Sequence, residues 1–542
     1  MDGRASNETW RPPYTLLDKI HWAIDVAEKK EDWREVTEIM KQHARQDVQE
    51  LAANALLSMA GGEGETSPTG RWKDVAASRR SALEAKYKEM WEAGAVEALI
   101  QQMERWQDSV HLQEVGCQVL LVSSRLAENQ VNIVQAGAFK VVLASMRAHK
   151  TANLLQEKAC EVLGNFAQEE ENQVKVMEAG GVDEILAAML SHEESAGVQA
   201  SACRALRKML RMDKVRGFMA EGDRVEVVLR AMERHAGIAG VQAEGCGALK
   251  NAVLAKAEDK RMTVKVGEGG GIDRIIAAML EHQDSERVQG QACAALRNLS
   301  RDQATRGQVA WAGGVDVIMR SMKRHEGSEY VEKRACGALS NIIGSDAQLA
   351  AHIAEAGGGR VLIDAIRRHI GSADVVAQAC GALGNLALSN ETKVKISQAG
   401  GVEAVAAAMH RHEDQARVQE KAIMCLGNLS VCEELQVKIV QARGIEAIVT
   451  AMRRHADNMA VQRVASWSLY TMIVRKSKSM WGGTKKSVNL QYKVSSELCP
   501  PSVTSPHRTD CSGQEGVRPS SRQQIGLTVG AMRHGRLASC CT

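Results

Sequence analysis

A motif of about 43 residues recurs along most of this 542-residue chain. Its clearest copy contains Gly400-Gly401, Met409, His412 and the segment Leu426-Gly-Asn-Leu429. The position of Met409 recurs in most cases after 43 or 44 residues, at Met40, Met103, Met146, Met189, Met232, Met279, Met322, Ile366, Met409 and Met452. A period of this length is typical of a solenoid, in which each structural repeat packs on its neighbours.

One repeat divides into three helical stretches, as residues 392–430 show. A short helix is predicted to end near Gln398, and Gly400-Gly401 supplies a sharp turn that a Cβ atom would hinder. Apolar residues spaced three and four apart predict a second helix up to about His410 and a third helix up to about Ser430. All seven prolines lie outside residues 69–499, so nothing in the array removes an amide donor. The sequence therefore predicts an all-α protein without strands.

Gly400 before the second helix and Leu426-Gly-Asn-Leu429 at the end of the third resemble armadillo consensus positions. Similar endings are Leu163-Gly-Asn-Phe166, Leu296-Arg-Asn-Leu299, Leu339-Ser-Asn-Ile342 and Leu383-Gly-Asn-Leu386. The chain is thus identified as a member of the armadillo family, and its array is most similar to those of leucine-rich-repeat kinases and protist armadillo-repeat proteins. This resemblance implies a right-handed superhelical solenoid of about ten armadillo repeats. HEAT repeats, the alternative, have two helices and need no Gly-Gly turn.

Interruptions of the period predict the domain boundaries. Residues 1–32 form an N-terminal segment and first helix, and residues 33–473 form the repeat array. A loop insertion is predicted at 61–81, where Gly, Ser and Pro cluster, and about four extra residues lie near 255–260. Residues 474–542 carry eleven Lys or Arg against three acidic residues and are rich in Ser, Pro and Gly, so we expect a basic, disordered tail.

An asparagine recurs near the end of the third helix, at Asn165, Asn251, Asn298, Asn341, Asn385 and Asn428. Armadillo geometry implies that these amides face a concave groove, where each can offer a donor and an acceptor to an extended peptide. The alternative is that each amide bonds within its own repeat or to the adjoining one. Importin-α-type adaptors pair this Asn with a Trp four residues earlier, and that Trp is missing here, so lysine-rich import signals are not the expected cargo.

The repeat anchored on Met189 replaces the asparagine by Lys208. Arg204, Lys208 and Arg211 are spaced by four and three residues and so share one helical face. We expect this face to attract acidic peptide segments. The alternative is a solvated basic patch without a partner.

Histidine and cysteine also form columns. The histidines lie at the end of the second helix, at His43, His149, His192, His235, His282, His325, His369, His412 and His455. We predict that they cap terminal helix carbonyls, because zinc needs three or four convergent ligands and each repeat offers one His and one distant Cys. The cysteines, Cys117, Cys160, Cys203, Cys246, Cys293, Cys336 and Cys380, are expected to be buried free thiols in a reducing compartment.

No phosphate-binding loop, nucleophile elbow or paired-cysteine zinc spacing occurs in the sequence. We therefore expect a non-enzymatic scaffold or adaptor without cofactor or metal, which binds extended and acidic segments of other proteins in the groove. The alternatives are a small-GTPase regulator similar to armadillo-type dissociation stimulators and a ciliary or cytoskeletal structural component. A monomer is expected that lies in the cytoplasm or also in the nucleus, without a membrane span or a nucleic-acid partner.

Overall fold

The computed structural model describes residues 16–61, 77–254 and 260–479. Every regular element in these ranges is a helix, and none of them contains a strand. Residues 1–15 of the predicted N-terminal segment, most of the Gly-rich insertion, most of the extra residues near 255–260 and the tail beyond residue 479 lie outside the described residues. None of the helices in the described ranges is long and apolar enough to cross a membrane.

The helices follow one another in triplets. The first helices are Leu16–Lys29, Ala77–Glu92, Ala127–Gln135, Glu170–Glu178, Asp213–Met219, Arg261–Glu268, Gln303–Val309, Ala347–Glu355, Asn390–Gln398 and Glu433–Gln441. The second helices are Trp33–Gln42, Ala95–Arg105, Ala138–Ala148, Gly181–Ser191, Arg224–Arg234, Gly271–Glu281, Val315–Arg324, Gly358–Arg368, Gly401–Arg411 and Gly444–Arg454. The third helices are Gln46–Met59, Val110–Ser123, Asn153–Phe166, Ala196–Met209, Ala239–Ala252, Glu286–Leu299, Glu329–Ile343, Ala373–Leu386, Ala416–Leu429 and Met459–Ser479. A π-helical turn, Ala310–Gly314, joins a first helix to a second one.

Two helices extend past boundaries that the sequence predicts. The predicted insertion loop covers residues 61–81, and the helix Ala77–Glu92 includes its last five residues, which hold neither Gly nor Pro. The tail was predicted to begin at residue 474, but the last helix continues to Ser479. Its sequence holds neither Gly nor Pro at this point, so nothing in the local chemistry ends the helix there.

The two glycines between the first and second helices have different roles. Gly400 has φ +80°, in the left-handed region that side chains rarely adopt. A Cβ atom on Gly401 would lie 2.5 Å from Ile396 Cγ2 and 2.8 Å from the carbonyl oxygen of Ile396. The first glycine is therefore required by its backbone conformation, and the second by the close approach of the first helix.

The inward positions of each triplet form the core. Met409 is 1% exposed, and Val418, Ala422, Leu426 and Leu429 of the following third helix are equally buried. The seven cysteines of the column are also buried free thiols, which confirms that part of the prediction. Burial raises the pKa of Cys117 to about 12, so this thiol stays protonated at neutral pH.

A glutamine at the start of the third helix closes the end of the second helix. Gln419 Nε2 donates to the carbonyl oxygens of Met409, at 2.9 Å, and His412, at 2.8 Å. The last carbonyls of a helix lack partners within it, so this side chain satisfies two acceptors at once. Gln113, Gln156, Gln199, Gln242, Gln289 and Gln462 bond in the same way.

The histidine column bonds one repeat to the preceding one. His412 Nε2 lies 2.7 Å from the carbonyl oxygen of Ile370, and His192 Nε2 lies 2.8 Å from that of Lys150. Because the acceptor is a carbonyl, Nε2 carries the proton. The sequence predicts that these histidines bond carbonyls at the end of their own helix. They do bond carbonyls, but these carbonyls belong to the loop of the preceding repeat. The glutamine, to which the sequence analysis gave no role, caps the second helix itself.

The chain divides into two compact units, Met1–Ala338 and Leu339–Thr542. The division falls within the third helix Glu329–Ile343. In the first unit, adjacent third helices pack on each other from Gln46–Met59 onward; in the second, Ala373–Leu386 packs on Ala416–Leu429, and that helix on Met459–Ser479. The third helices thus form a continuous packed layer within each unit.

Candidate functional site

The asparagine column lies on the third helices, as the sequence predicts. Asn251 is buried, and Asn165, Asn298, Asn385 and Asn428 are half-buried. The side chains are therefore in position both to bond neighbouring helices and to meet a partner on the surface that the third helices form, the third-helix surface. Asn341 is also half-buried and has a partner within the protein.

Most of these amides donate to the preceding third helix. Asn298 Nδ2 donates to the carbonyl oxygen of Lys250 at 2.9 Å, and Asn428 Nδ2 to that of Gly384 at 2.7 Å. The same bond joins Asn251 to Arg207, at 2.5 Å, and Asn385 to Ser340, at 2.9 Å. Each acceptor lies in the last turn of its helix, where carbonyls have no partner within the helix.

The Nδ2 groups of this column thus bond one repeat to the adjoining one, as the alternative interpretation of the sequence has it. The Oδ1 atoms are different: within the described ranges, those of Asn298, Asn385 and Asn428 accept no hydrogen bond. A half-buried carbonyl oxygen without a donor can accept one from a peptide N–H. The acceptor side of the column is therefore the side that remains for a partner.

Asn165 differs because both of its polar atoms are occupied. Its Nδ2 donates to Ser124 Oγ at 3.0 Å, and Lys208 Nζ donates to its Oδ1 at 2.6 Å. Two residues that the sequence assigned to partner binding in different repeats are thus bonded to each other.

Arg204 is held in a network of ion pairs. Its Nη1 lies 2.6 Å from Glu161 Oε1, and its Nε lies 3.0 Å from Glu244 Oε1. Arg207 Nε lies 2.6 Å from Glu244 Oε2, and Arg287 also pairs with this carboxylate. The Glu244 side chain is only 2% exposed, so three guanidinium groups from two helices converge on a buried charge.

The charges in this network shift the pKa values of its members. Burial opposes ionisation of Glu244, but Arg207, Arg287 and Arg204 together hold the pKa of its carboxyl below the usual range. The pKa of Lys208 is lowered to about 7, mainly by burial. The positive charges of Arg207 and Arg204 also lower this pKa, and Glu244 and Glu161 raise it by less.

Lys250 shows the same effect one repeat later. Burial lowers the pKa of its ammonium group to about 8, and Arg207, Arg334 and Arg211 contribute, while Glu244 acts in the opposite direction. Its Nζ donates to Gln291 Oε1 at 3.1 Å, which is a neutral acceptor. The Lys250 ammonium group is therefore bonded to a neutral amide and not to a carboxylate.

Lys250, Arg287 and Arg334 did not emerge from the sequence. They occupy different positions of their third helices, and the sequence analysis examined the charges of one helix at a time. Comparing adjacent helices, rather than one column, would have found them. Arg334 stacks over the Tyr330 ring with its guanidinium carbon 3.7 Å from the ring centroid, and this ring lies over Gly290, where a Cβ would be 2.0 Å from Tyr330 Cε1.

The described part of the chain contains no group of three or more His, Cys, Asp or Glu that could hold a metal ion. Seven of the nine column histidines bond backbone carbonyls, and the column cysteines are buried, so these side chains have structural roles. What the third-helix surface offers is hydrogen-bond acceptors and positive charge, which suits binding of a polypeptide.

Repeated helix triplets, Gly turns and bonded third helices define an armadillo-type solenoid. Residues 90–444 match the family described as LRRK2 ARM repeat, so the chain belongs to this family. The comparison with curated proteins gave no match. An armadillo solenoid is usually a non-enzymatic scaffold.

Two solved structures show the same fold. The chain is 23% identical to an engineered protein of the Northeast Structural Genomics Consortium, with 81% of this chain and 98% of that chain covered and a TM-score of 0.66. It is 14% identical to a chain from a study of the phosphorylation switch that controls the interaction between cadherin and beta-catenin, with 85% and 97% covered and a TM-score of 0.58. At these identities the likenesses support the fold alone.

Proposed function

We propose that the protein is a non-enzymatic scaffold that binds extended segments of partner proteins along its third-helix surface. The asparagine column supports this proposal most directly. Its Nδ2 groups are fixed by the preceding helix, so the side chains are held in place before a partner arrives, while the Oδ1 atoms of Asn298, Asn385 and Asn428 remain as acceptors.

The spacing of the helices agrees with an extended ligand. Adjacent packed helices lie about 8–10 Å apart, and an extended chain advances about 3.3 Å per residue. Successive asparagines within one unit can therefore bond about every third residue of one peptide. The study that contains the similar chain concerns the interaction between cadherin and beta-catenin, which is likewise binding between proteins.

The basic residues Arg204, Lys208 and Arg211 complete the proposed surface. Arg211 lies in the turn after the helix Ala196–Met209, so the prediction that it shares a helical face with Arg204 and Lys208 is wrong. Arg211 is exposed, whereas Arg204 and Lys208 are half-buried and bonded within the protein. Arg211 is thus the most accessible of the three to an acidic side chain, and the other two contribute positive potential.

Replacement of Asn298, Asn341, Asn385 and Asn428 by alanine tests the proposal in the native cell. We expect proximity labelling to lose a defined set of neighbouring proteins, because the acceptors for peptide N–H groups are gone. The four-site variant also loses bonds to neighbouring helices, at about 1 kcal/mol each, so its helicity and unfolding temperature are measured alongside.

Asn132→Ala with Asn153→Ala, on a first helix and at the exposed start of a third helix, is the matched control. If a folded four-site variant keeps every neighbour of the wild type, binding through the asparagine column is excluded. The identity of the neighbours also tests the two alternatives. Nucleotide-free small GTPases among them would support a GTPase regulator. Axonemal or filament proteins among them would support a structural component. The compartment in which they lie tests the proposed cytoplasmic or nuclear location.

A further inference from the structure

Basic residues of the first unit are concentrated on four successive third helices and in the turn that follows the first of these helices. The basic cluster consists of Arg204, Arg207, Lys208, Arg211, Lys250, Arg287 and Arg334. Two carboxylates, Glu161 and Glu244, pair with it, and Glu244 is already shared by three of the arginines. Seven cations facing two anions leave this part of the third-helix surface strongly positive.

The two lysines of the cluster are bonded to neutral side chains rather than to carboxylates. Lys208 Nζ donates to the amide oxygen of Asn165, and Lys250 Nζ to that of Gln291. Both amide oxygens are neutral, and arginines surround both ammonium groups. Bringing an anion to this place relieves the repulsion between the cations and restores the charge that burial disfavours.

We propose that the basic cluster binds a polypeptide segment whose acidic side chains recur at every third residue, with Lys208 and Lys250 taking up protons as the segment binds. The proposal rests on the proposed function and specifies the chemistry of its partner. Lys208 and Lys250 lie on adjacent third helices, so the helix spacing of about 8–10 Å corresponds to about three residues of extended chain. Acidic residues at this interval can reach successive helices without distorting the peptide.

A protein partner suits the cluster better than single-stranded nucleic acid does. Proteins that bind single strands stack the bases on exposed aromatic rings. Tyr330, the aromatic residue within the cluster, packs closely against Gly290, and its ring is covered by the Arg334 guanidinium. The neighbouring Asn298 Oδ1 is an acceptor for backbone N–H groups, which a peptide supplies at every residue and a phosphodiester backbone does not.

The proton uptake follows from the groups that face each lysine. Lys208 faces Glu161 and Asn165 of the preceding helix, Arg204 and Arg207 of its own helix, and Glu244 of the following one. Around Lys250, the facing groups are Arg207 of the preceding helix, Arg211 in the turn after that helix, Glu244 of its own helix, Gln291 of the next and Arg334 beyond it. With free-state pKa values of about 7 and about 8, both lysines lose protons between about pH 6.5 and about pH 9, where carboxylates stay ionised.

The test uses the purified full chain and two fluorescent peptides of about 12 residues that have the same composition. One carries acidic residues at every third position, and the other carries them contiguously. Fluorescence anisotropy at low salt should show that the spaced peptide binds at least about fivefold more tightly, and that its affinity falls at least about tenfold from about pH 6.5 to about pH 9.

Three variants isolate the lysines. Lys208→Ala with Lys250→Ala should weaken binding at least about tenfold at the lower pH, whereas the matched control Lys140→Ala with Lys214→Ala, both exposed and off the third helices, should leave it unchanged. Lys208→Arg with Lys250→Arg should retain binding and lose most of the pH dependence, because arginine stays charged over this range. A structural role alone would not make the pH profile disappear in a variant that still binds.

Several results would overturn the proposal: equal affinities for the two peptides, an equal loss in the control variant, an unchanged pH profile in the arginine variant, or tighter binding of a single-stranded oligonucleotide of equal charge. Proximity labelling separates this failure from that of the proposed function. If neighbours are lost in the asparagine variant but retained in the variant with Lys208→Ala and Lys250→Ala, the binding of an acidic segment is refuted and the proposed function stands. Neighbours retained in both variants refute binding at the third-helix surface.

Discussion

At the scale of single residues, the charges of the basic cluster depend on one buried carboxylate. Glu244 is 2% exposed and pairs with Arg204, Arg207 and Arg287. Without it, three half-buried guanidinium groups would repel one another, and only Arg204 would keep a carboxylate partner in this network, Glu161. A buried carboxylate at this place orders the cations that surround it, and thereby the surface to which a partner would bind.

Replacing Glu244 by glutamine should destabilise the protein by about 3 kcal/mol at neutral pH, because charge is removed from a buried ion-pair network. The pKa of Glu244 is lowered in the folded state, so this stabilisation is present above the ordinary value of 4.5 and is lost as the pH falls through the folded pKa.

Thermal unfolding of the wild type and Glu244→Gln, measured from neutral to acid pH, should therefore give two curves that converge in acid. Curves that stay equally far apart at all pH values would show that the carboxylate charge is not what stabilises the network. Glu446→Gln, at an exposed ion pair with Arg443, is the control and should change the unfolding temperature little.

The sequence predicted the positions of the site residues better than their roles. The positions of Asn298 and Asn428 on third helices follow from the repeat period alone. Their bonds to Lys250 and Gly384 could not be derived, because they depend on how closely one helix end approaches the next. The pairing of Lys208 with Asn165 was hidden for the same reason: the two residues are 43 positions apart and belong to different repeats.

At the scale of elements, the turn between the first and second helices is the feature that the sequence predicted most completely. Gly400 has the positive φ that the Gly-Gly pair suggests, and the helix starts at Gly401. Helix ends were less predictable. Residues 77–81 and 474–479 belong to helices, because helix ends without Gly or Pro are set by tertiary packing rather than by local sequence.

Replacing Gly401 by alanine should destabilise its repeat by about 2 kcal/mol, since the new methyl group would meet the side chain and the backbone oxygen of Ile396. The better helix propensity of alanine offsets only part of this clash. Chemical denaturation measures the loss. Gly371→Ala is the control, because a Cβ there meets nothing within 4 Å, and equal effects of the two substitutions would contradict the steric explanation.

At the scale of the whole molecule, the chain comprises two compact units whose helices pack mainly on their neighbours. Stability in such an array is approximately a sum of repeat and nearest-neighbour contributions. The class of fold was therefore predictable from the period alone, and the LRRK2 ARM repeat family confirms it. The division after Ala338 has no counterpart in the sequence motif, which continues through it unchanged.

Local destabilisation should remain local. In the Gly401→Ala variant, native-state hydrogen exchange should speed up in the helices Asn390–Gln398 and Gly401–Arg411, while Ala196–Met209 in the other unit keeps its protection. Exchange followed by mass spectrometry resolves these segments. A uniform increase across both units would show instead that the protein unfolds as one cooperative body.

The hydrogen bonds that the histidine and asparagine columns make between repeats have a direction. The His192 and His412 imidazoles and the Asn298 and Asn428 amides all donate to carbonyls that lie earlier in the chain. During translation, the acceptors for each new repeat are thus already outside the ribosome when its donors emerge. Such a chain can fold in the order in which it is made, each completed repeat serving as the template for the next.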